Sequence, residues 1–442
     1  MAIAVVLLVC VGMRRELAAA LSVGDCVALA SAPITWTAVR KARRFSLLLV
    51  LSILASGTAY IMSLLAESSF VVEAWARRVT TLSLLAVPCA VAVFVWGARR
   101  LGTRRAALAV GFGMFLDSLS LLQTNSNPWK FGVGAAVSIM VLSYVADRRR
   151  LVQIVALLGL SGVFLVSDSR STLALLAIIL GTVIWQALAS WARWHVPTPR
   201  RLAISQILVL AVVGIAAMAG VVMASESGTL GEDAQNRTIA QSSSSSGLLL
   251  SARPELGASW ALFQDRPWGY GAGVKPRFED LWVAKRGMAA LGYDPENGYV
   301  ENFMFGGRIE LHSGVMDMWA AASIPGGLLL LLIAGMALAA MMRDLGRLKA
   351  TPWLFFAALT VVQNVFVGPW TVLPAYLPLV LGAAVLQPAL RDAAQLGADD
   401  EPGDAPEDES TDTDAAPSSE LAPDVEPLPA ADPHPEAAAP AQ

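Results

Sequence analysis

Charged residues and cysteine are scarce in this chain of 442 residues. Only 15% of the residues are Asp, Glu, Lys or Arg, whereas 55% are hydrophobic and the mean hydropathy is +0.57. This composition excludes a soluble globular protein of this size and predicts a chain solvated mainly by lipid. The three cysteines, Cys10, Cys26 and Cys89, all lie in apolar segments. They therefore predict neither a disulfide framework nor a cysteine metal site.

The sequence also lacks the motifs of a transporter driven by nucleotide hydrolysis. It contains no Gly-Lys phosphate loop, and its basic inter-span loops are too short to hold a nucleotide-binding domain. Both features argue against an ATP-driven pump. No metal, cofactor or nucleic-acid partner is expected. Histidine is rare too, with only His195, His312 and His434 in the whole chain.

Long apolar runs are what the sequence has in abundance. A helix needs roughly 20 mostly apolar residues to cross the hydrocarbon core of a membrane. The short apolar start, Met1 to Met13, lacks the basic beginning and cleavage site of a secretory signal and is interpreted as a further span with its first turn clipped. We therefore expect an all-α, polytopic membrane protein with about twelve spans. The other eleven are Leu17–Val39, Phe45–Leu65, Val79–Ala98, Ala106–Leu122, Phe131–Ala146, Leu151–Ser167, Thr172–Trp194, Leu202–Ala224, Gly314–Met342, Pro352–Val372 and Leu373–Leu390.

The distribution of basic residues predicts the orientation of these spans. Alternate short loops hold 17 Lys and Arg residues, whereas the intervening short loops hold six. Because the loops richer in Lys and Arg face the cytoplasm, both termini are expected inside a cytoplasmic, or inner, membrane. Lipid is then a partner along the whole bundle.

One long polar excursion interrupts the apolar pattern. It covers the 89 residues 225–313, between the ninth and tenth predicted helices, and it is expected to face outward. We predict four parts: a bundle over 1–224, the large loop over 225–313, the last helices over 314–390 and a tail over 391–442. The tail has 15 acidic residues and one basic residue, which predicts a disordered cytoplasmic appendage.

Three polar motifs lie at the predicted outer face. The first, Asp168-Ser169-Arg170-Ser171, separates two apolar runs. Ser and Asp are frequent helix caps and Arg170 can pair with Asp168, which is the structural interpretation. Alternatively, the helix start and the guanidinium point at one spot, as in a phosphate site.

The second and third motifs belong to the excursion. Arg253 precedes an amphipathic stretch over 255–263, which leads to a glycine-rich segment over 268–273 that predicts a tight irregular turn. His312 enters the span that starts at Gly314, and it is the one histidine expected outside. Histidine exchanges protons near neutral pH, so His312 is either a catalytic group or an interfacial helix cap. The aromatic residues between these motifs suit both a membrane interface and the C–H faces of sugars.

The three motifs together resemble those of the O-antigen ligase and polymerase family. The matching segments are SDSRSTLALLAI, SARPELGASWALFQDRPWGYGAG and ELHSGVMDMWAAASIPGGLLLLL, in this order and on the same side. The resemblance implies a GT-C-like membrane glycosyltransferase that takes a glycan from a polyprenyl diphosphate. The family often has Asn where Ser313 stands and Gly where Ser323 stands, and these departures concern the subfamily more than the chemistry.

The resemblance also implies roles for individual residues. Arg170 and Arg253 would bind the diphosphate, and His312 would accept the proton of an acceptor hydroxyl, which inverts the anomeric configuration. His312 as a phosphate-binding imidazolium remains equally open. Asp317, one turn beyond, is a candidate to orient His312. Further phosphate candidates are Arg308, Arg237, Arg266 and Lys130.

Several functions stay open at this point. A ligase moves the glycan to a lipid, protein or wall acceptor, and a polymerase moves it to another lipid-linked unit. A transporter or flippase of lipid-linked sugars also has about twelve spans, but transporters tend to show repeated halves and midplane binding groups. The chain has no evident internal repeat, and its candidate groups cluster at the outer face. A scaffold would need no such cluster.

Overall fold

The computed structural model describes residues 1–17, 21–191 and 253–386, with isolated positions between 204 and 227. The described residues form helices and loops without a β-strand, and their two isolated bridges pair Glu16 with Ser22 and Val72 with Val274. The all-α prediction is therefore confirmed for this part of the chain. The predicted span 202–224, most of the loop 225–252 and the acidic tail lie outside the described residues.

The helices follow the apolar runs of the sequence. Among the described residues, four helices are long and apolar enough to cross a membrane, and they begin at Arg43, Ala74, Arg170 and Gly314. The predicted number of twelve spans goes beyond these four. In chain order the helices are α1 (Ala2–Gly12), α2 (Val23–Thr35), α3 (Arg43–Ala66), α4 (Ala74–Leu101), α5 (Thr103–Ser118), α6 (Leu121–Thr124), α7 (Gly134–Val145), α8 (Arg150–Val166), α9 (Arg170–Trp191), α10 (Glu255–Asp265), α11 (Phe278–Ala289), α12 (Gly314–Leu345), α13 (Pro352–Val367) and α14 (Leu377–Leu386).

The second predicted span is corrected at its start. The apolar run suggested a helix from Leu17, but α2 begins at Val23. The Ser22 hydroxyl accepts a hydrogen bond from the Asp25 N–H at 3.1 Å and caps the helix there. Arg14 then pairs with the Asp25 carboxylate through two hydrogen bonds of 2.8 and 2.9 Å. The Ser22 side chain accepts the Asp25 N–H, which in a longer helix would donate to a backbone carbonyl. The helix therefore begins here and does not extend toward Leu17.

Helix α4 is the most buried of the four long helices, and α3 and α9 are more exposed. Elsewhere in the bundle, glycine lets α1 and α5 approach closely where they cross. A Cβ atom at Gly113 would overlap the Val9 carbonyl oxygen, and one at Gly12 would overlap the Val110 carbonyl oxygen. Small residues at such crossings let backbones approach and gain van der Waals contact, which is the main attraction between helices in lipid.

Helix α12 is bent at Ala322 and Ser323, just before Pro325. Ser323 has φ 56° and ψ −153°, a backbone conformation that is essentially restricted to glycine. The bend takes carbonyl groups out of the helical hydrogen-bond pattern. The Ala320 carbonyl accepts instead from the N–H groups of Tyr270 and Gly271, at 2.8 and 2.9 Å. The bend is therefore a docking point for the polar excursion.

The segment that docks there is the glycine loop, Trp268–Gly273. Its glycines at 269, 271 and 273 have φ of 79°, 107° and 76°, as expected for the irregular turn that the sequence predicted. The Ala272 N–H donates to the Ala59 carbonyl of α3 at 3.2 Å, and the Glu73 N–H donates to the Gly273 carbonyl at 2.8 Å. The excursion is thus tied by its backbone to α3, to the start of α4 and to α12.

The strained backbone at Ser323 leads to a stability prediction. Replacing Ser323 by glycine removes the Cβ atom from a conformation that only glycine adopts easily. We expect the Ser323→Gly variant to be more stable by about 1 kcal/mol, after subtraction of the extra entropy that glycine has in the unfolded chain. Thermal unfolding of the detergent-purified protein measures the shift.

The neighbouring position provides the control. Ala322 is fully buried with φ −133°, so Ala322→Gly gains no relief and loses a methyl group. It should lower the unfolding temperature. If both variants shift the temperature downward, the strain assigned to Ser323 is wrong.

Candidate functional site

His312 lies in a tight turn that leads into α12. Its φ is 53°, a left-handed conformation in which Asn, Asp and His are enriched among non-glycine residues. Leu311 before it is fully buried, and Ser313 after it is the N-cap residue of α12. The sequence therefore presents His312 on a turn whose two flanking residues are anchored in the protein.

Asp317 anchors this turn. Its Oδ1 accepts the Leu311 N–H at 2.6 Å, and its Oδ2 accepts the Trp370 N–H at 2.8 Å. Both oxygens are thus engaged with backbone, and the carboxylate holds the chain on either side of the site instead of the imidazole ring. The orienting role that the sequence suggested for Asp317 acts, in this geometry, through the backbone of the turn.

The imidazole of His312 has one buried nitrogen that meets no hydrogen-bonding group in the part of the chain that the structure describes. Its Nδ1 has no hydrogen-bond partner among the described residues. Buried polar atoms are almost always hydrogen-bonded in native proteins, so each exception needs an explanation, of which a ligand or a catalytic role is one. Tyr299 lies alongside, with the ring centroids 6.2 Å apart.

Tyr299 connects His312 to the second motif. Its hydroxyl donates to Glu255 Oε1 at 2.6 Å, and Arg253 lies close enough for its charge to act on the phenol. Burial, together with the bond to Glu255, raises the pKa of Tyr299 above the usual tyrosine value. Tyr299 is therefore a hydrogen-bond donor at physiological pH. We call Arg253, Glu255, Tyr299 and His312 the histidine cluster.

Glu255 and Tyr299 are members that the sequence did not single out. Glu255 is 7% exposed, and its Oε2 is buried without a partner among the described residues. The signal was present in the Arg-Pro-Glu segment, where an acidic residue opens the amphipathic helix α10. An acid at a helix start is usually explained by the helix dipole, which conceals any second role.

Arg170 and Lys130 lie together in another cluster. The Lys130 ammonium donates to the Asp168 carbonyl at 2.8 Å, and the Arg170 Nε lies 3.3 Å from Asp168 Oδ1. The Asn127 side chain donates to the Ser167 carbonyl at 2.8 Å, which joins the two loops. Asp168 has φ 49° and marks the tight turn before α9. We call Lys130, Asp168 and Arg170 the lysine-arginine cluster.

Of the three main candidates, Arg253 and His312 belong to the histidine cluster, and Arg170 belongs to the lysine-arginine cluster. Arg170 and Asp168 pair as the structural interpretation of this motif had it.

The remaining arginine candidates have partners in the protein or lie outside the described residues. Arg308 donates through Nε and Nη2 to Glu310 at 2.9 and 2.8 Å. Arg266 lies over the rings of Phe70 and Tyr270, 4.7 and 5.3 Å from the centroids, where it stabilises the base of the glycine loop. Arg237 belongs to the undescribed part of the excursion. Arg308 is therefore engaged by a carboxylate, whereas the buried Nε of Arg266 has no hydrogen-bond partner among the described residues.

No group of three or more His, Cys, Asp or Glu residues in the described ranges is placed to hold a metal ion. Comparison of the chain with protein-family models, with curated proteins and with solved structures gives no match.

Proposed function

We propose that this protein is a membrane glycosyltransferase of the O-antigen ligase type. It would transfer a glycan from a polyprenyl diphosphate carrier to the hydroxyl group of a lipid, glycan or protein acceptor, at the outer face of the cytoplasmic membrane. The observation that carries the proposal is the histidine cluster. The Nδ1 of His312 is buried without a hydrogen-bond partner among the described residues, and Tyr299 lies between this histidine and the charge of Arg253. His312 also directly precedes a helix long and apolar enough to span a membrane, which suits proton transfer beside a lipid-linked anion.

The proposed reaction is a single displacement at the anomeric carbon. The acceptor oxygen forms the new C–O bond, the bond from the anomeric carbon to the diphosphate oxygen breaks, and His312 takes the acceptor proton. Negative charge then grows on the departing polyprenyl diphosphate. The Arg253 guanidinium would stabilise this charge through charge-assisted hydrogen bonds that strengthen as the charge develops.

The lysine-arginine cluster supplies a second pair of cations. Arg170 is the first residue of α9, where the helix N-terminus adds a partial positive charge. Lys130 lies beside it. We propose that this cluster binds the carrier diphosphate or positions the excursion over it. The excess of Lys and Arg in the alternate short loops supports an outward-facing site and cytoplasmic termini.

A transfer assay with purified protein tests the proposal. A polyprenyl-diphosphate-linked oligosaccharide is incubated with the protein in nanodiscs, and products are separated from the donor. We expect wild-type transfer, with losses of about 10²-fold or more in Arg253→Ala and Arg170→Ala because each removes a phosphate contact made in the transition state. Products that lengthen by repeat units identify a polymerase, and a single transfer to a different acceptor identifies a ligase.

Controls separate the arginine effect from a general loss of structure. Arg105, exposed in the first turn of α5, has the same charge and lies outside both clusters, so Arg105→Ala should transfer at the wild-type rate. Wild-type rates in both Arg170→Ala and Arg253→Ala would refute the site. Movement of the intact lipid-linked glycan across the membrane, without transfer, would identify a flippase instead.

A further inference from the structure

A cavity of about 520 Å³ lies beside the histidine cluster. It is lined by the first turns of α4, the glycine loop, residues 302–310, the start of α12 and Trp370 with Thr371. Its volume is within the range of sites for small organic ligands, and it is formed jointly by the excursion and the membrane helices. Neither Arg170 nor Arg253 nor His312 is among its lining residues.

Two contacts connect the cavity with His312. Phe303 lines the cavity and stacks on Tyr299, with centroids 5.4 Å apart and an interplanar angle of 30°. Tyr299 in turn lies beside the His312 ring. Asp317 also lines the cavity, and it holds the Leu311 N–H directly before His312. A ligand in the cavity would therefore lie next to the turn that carries the proposed base.

The charges of the lining argue against a phosphate in this cavity. Its ionisable side chains are one guanidinium, Arg308, and three carboxylates, Glu73, Glu310 and Asp317. Glu310 binds Arg308, Lys275 lies 2.5 Å from the Glu73 carboxylate, and Asp317 accepts two backbone N–H groups. The only guanidinium of the lining is already engaged by Glu310, and Lys275 is engaged by Glu73, so the lining offers a diphosphate no cation without a carboxylate partner.

The same lining suits a neutral sugar. Trp75, Phe303 and Trp370 offer flat apolar faces, and Trp75 and Phe303 are 54% and 66% exposed. Such faces stack against the C–H groups of a pyranose ring. Carboxylate oxygens have lone pairs beyond those used by their protein partners, so they can accept hydrogen bonds from sugar hydroxyls.

We propose that this cavity binds a neutral sugar ring of a glycan substrate, next to His312. The inference rests on the proposed function and assigns its glycan-binding subsite. Trp75 and Trp370 provide the stacking surfaces, and Glu73 and Glu310 accept hydroxyl hydrogen bonds. The lipid diphosphate is bound elsewhere, by the arginines outside this cavity.

Binding, which needs no turnover, tests this subsite. Protein in nanodiscs is applied to an array of neutral oligosaccharides and of the same oligosaccharides phosphorylated at the reducing end. We expect neutral glycans to bind, and the Trp75→Ala and Trp370→Ala variants to bind them about tenfold more weakly. Trp75→Phe keeps a flat ring and should bind nearly as well as wild type. Trp268→Ala is the matched control, because Trp268 is 66% exposed but does not line the cavity.

The outcomes of this experiment are distinct from those of the transfer assay. No binding of any neutral glycan, binding that requires the phosphate, or wild-type binding by both tryptophan variants each overturns the inference. Neutral glycan binding that depends on Trp75 supports it even in a preparation without transfer activity, which would refute only the proposed reaction.

A competition step identifies which substrate supplies the sugar. If added polyprenyl-diphosphate-linked oligosaccharide displaces the bound free glycan, the cavity holds the sugar of the donor. If both bind together, it holds the sugar of the acceptor. Either result supports the subsite.

Discussion

Replacing His312 by alanine is expected to lower kcat for glycan transfer by about 10²- to 10⁴-fold, the usual contribution of a positioned general base. The expected KM for the donor changes little, because Arg253 and the lysine-arginine cluster remain. The effect is large because the imidazole nitrogen without a hydrogen-bond partner among the described residues is the group that can take the acceptor proton. Steady-state transfer rates in nanodiscs measure it.

A second variant separates chemistry from backbone effects at this turn. Asparagine tolerates the left-handed φ of 53° but cannot act as a base near neutral pH, so His312→Asn should fold normally and transfer poorly. Near-wild-type transfer by this variant would contradict the base assignment.

The pH profile of the wild type distinguishes the two roles left open for His312. A general base acts as neutral imidazole, so kcat should rise with increasing pH. A phosphate-binding imidazolium acts in its charged form, and kcat would then fall with increasing pH. A falling profile, absent in His312→Asn, would reassign the residue to phosphate binding.

Replacing Gly271 by alanine is expected to destabilise the protein by roughly 3 kcal/mol or more. Gly271 has φ 107°, and a Cβ atom there would lie 2.5 Å from the Ser63 nitrogen and 2.7 Å from the Met62 carbonyl carbon. Both neighbours are backbone atoms of α3, so relief requires the glycine loop to leave the bundle. Loss of the docked loop should also abolish transfer, since the loop is tied to the bend of α12. Thermal unfolding and transfer assays measure the two effects.

Gly102 isolates the contribution of backbone strain. It has φ 84°, but a Cβ atom there would meet nothing within 4 Å. Gly102→Ala is therefore expected to cost about 1 kcal/mol and to leave transfer intact. If Gly271→Ala destabilises the protein no more than Gly102→Ala does, the close approach of the loop to α3 is not a determinant of the fold.

The long helices were predictable from the sequence because lipid imposes a simple rule on them. The predicted spans Phe45–Leu65 and Val79–Ala98 lie inside α3 and α4, and the span predicted from Gly314 begins at the first residue of α12. In a bilayer every backbone group must be bonded within its own helix, so apolar length alone indicates the element. The predicted start of the second span at Leu17 was wrong, because the cap at Ser22 sets the helix start regardless of the hydropathy of the preceding residues.

The candidate site was predictable only in part. The motifs brought Arg253 and His312 to attention, and the structure brings them to one cluster through Tyr299. Lys130 and Arg170 meet at Asp168, which lies 38 residues after Lys130 in the chain. Sequence spacing does not show contacts over such a separation. The same holds for the cavity, whose carboxylates come from α4, the excursion and α12.

Sequence alone determined the helical class of the described part of the chain, the places of its long apolar helices and the residues able to carry charge and protons, since these depend on composition and on local length. Tertiary structure decided which of them meet. The bend at Ser323 exposes the Ala320 carbonyl, the glycine loop docks on it, and Asp317 holds the turn of His312. The hydrogen bonds of Ala320 with Tyr270 and Gly271, and of Asp317 with Trp370, join groups far apart in the chain, and packing that no local pattern encodes sets their partners.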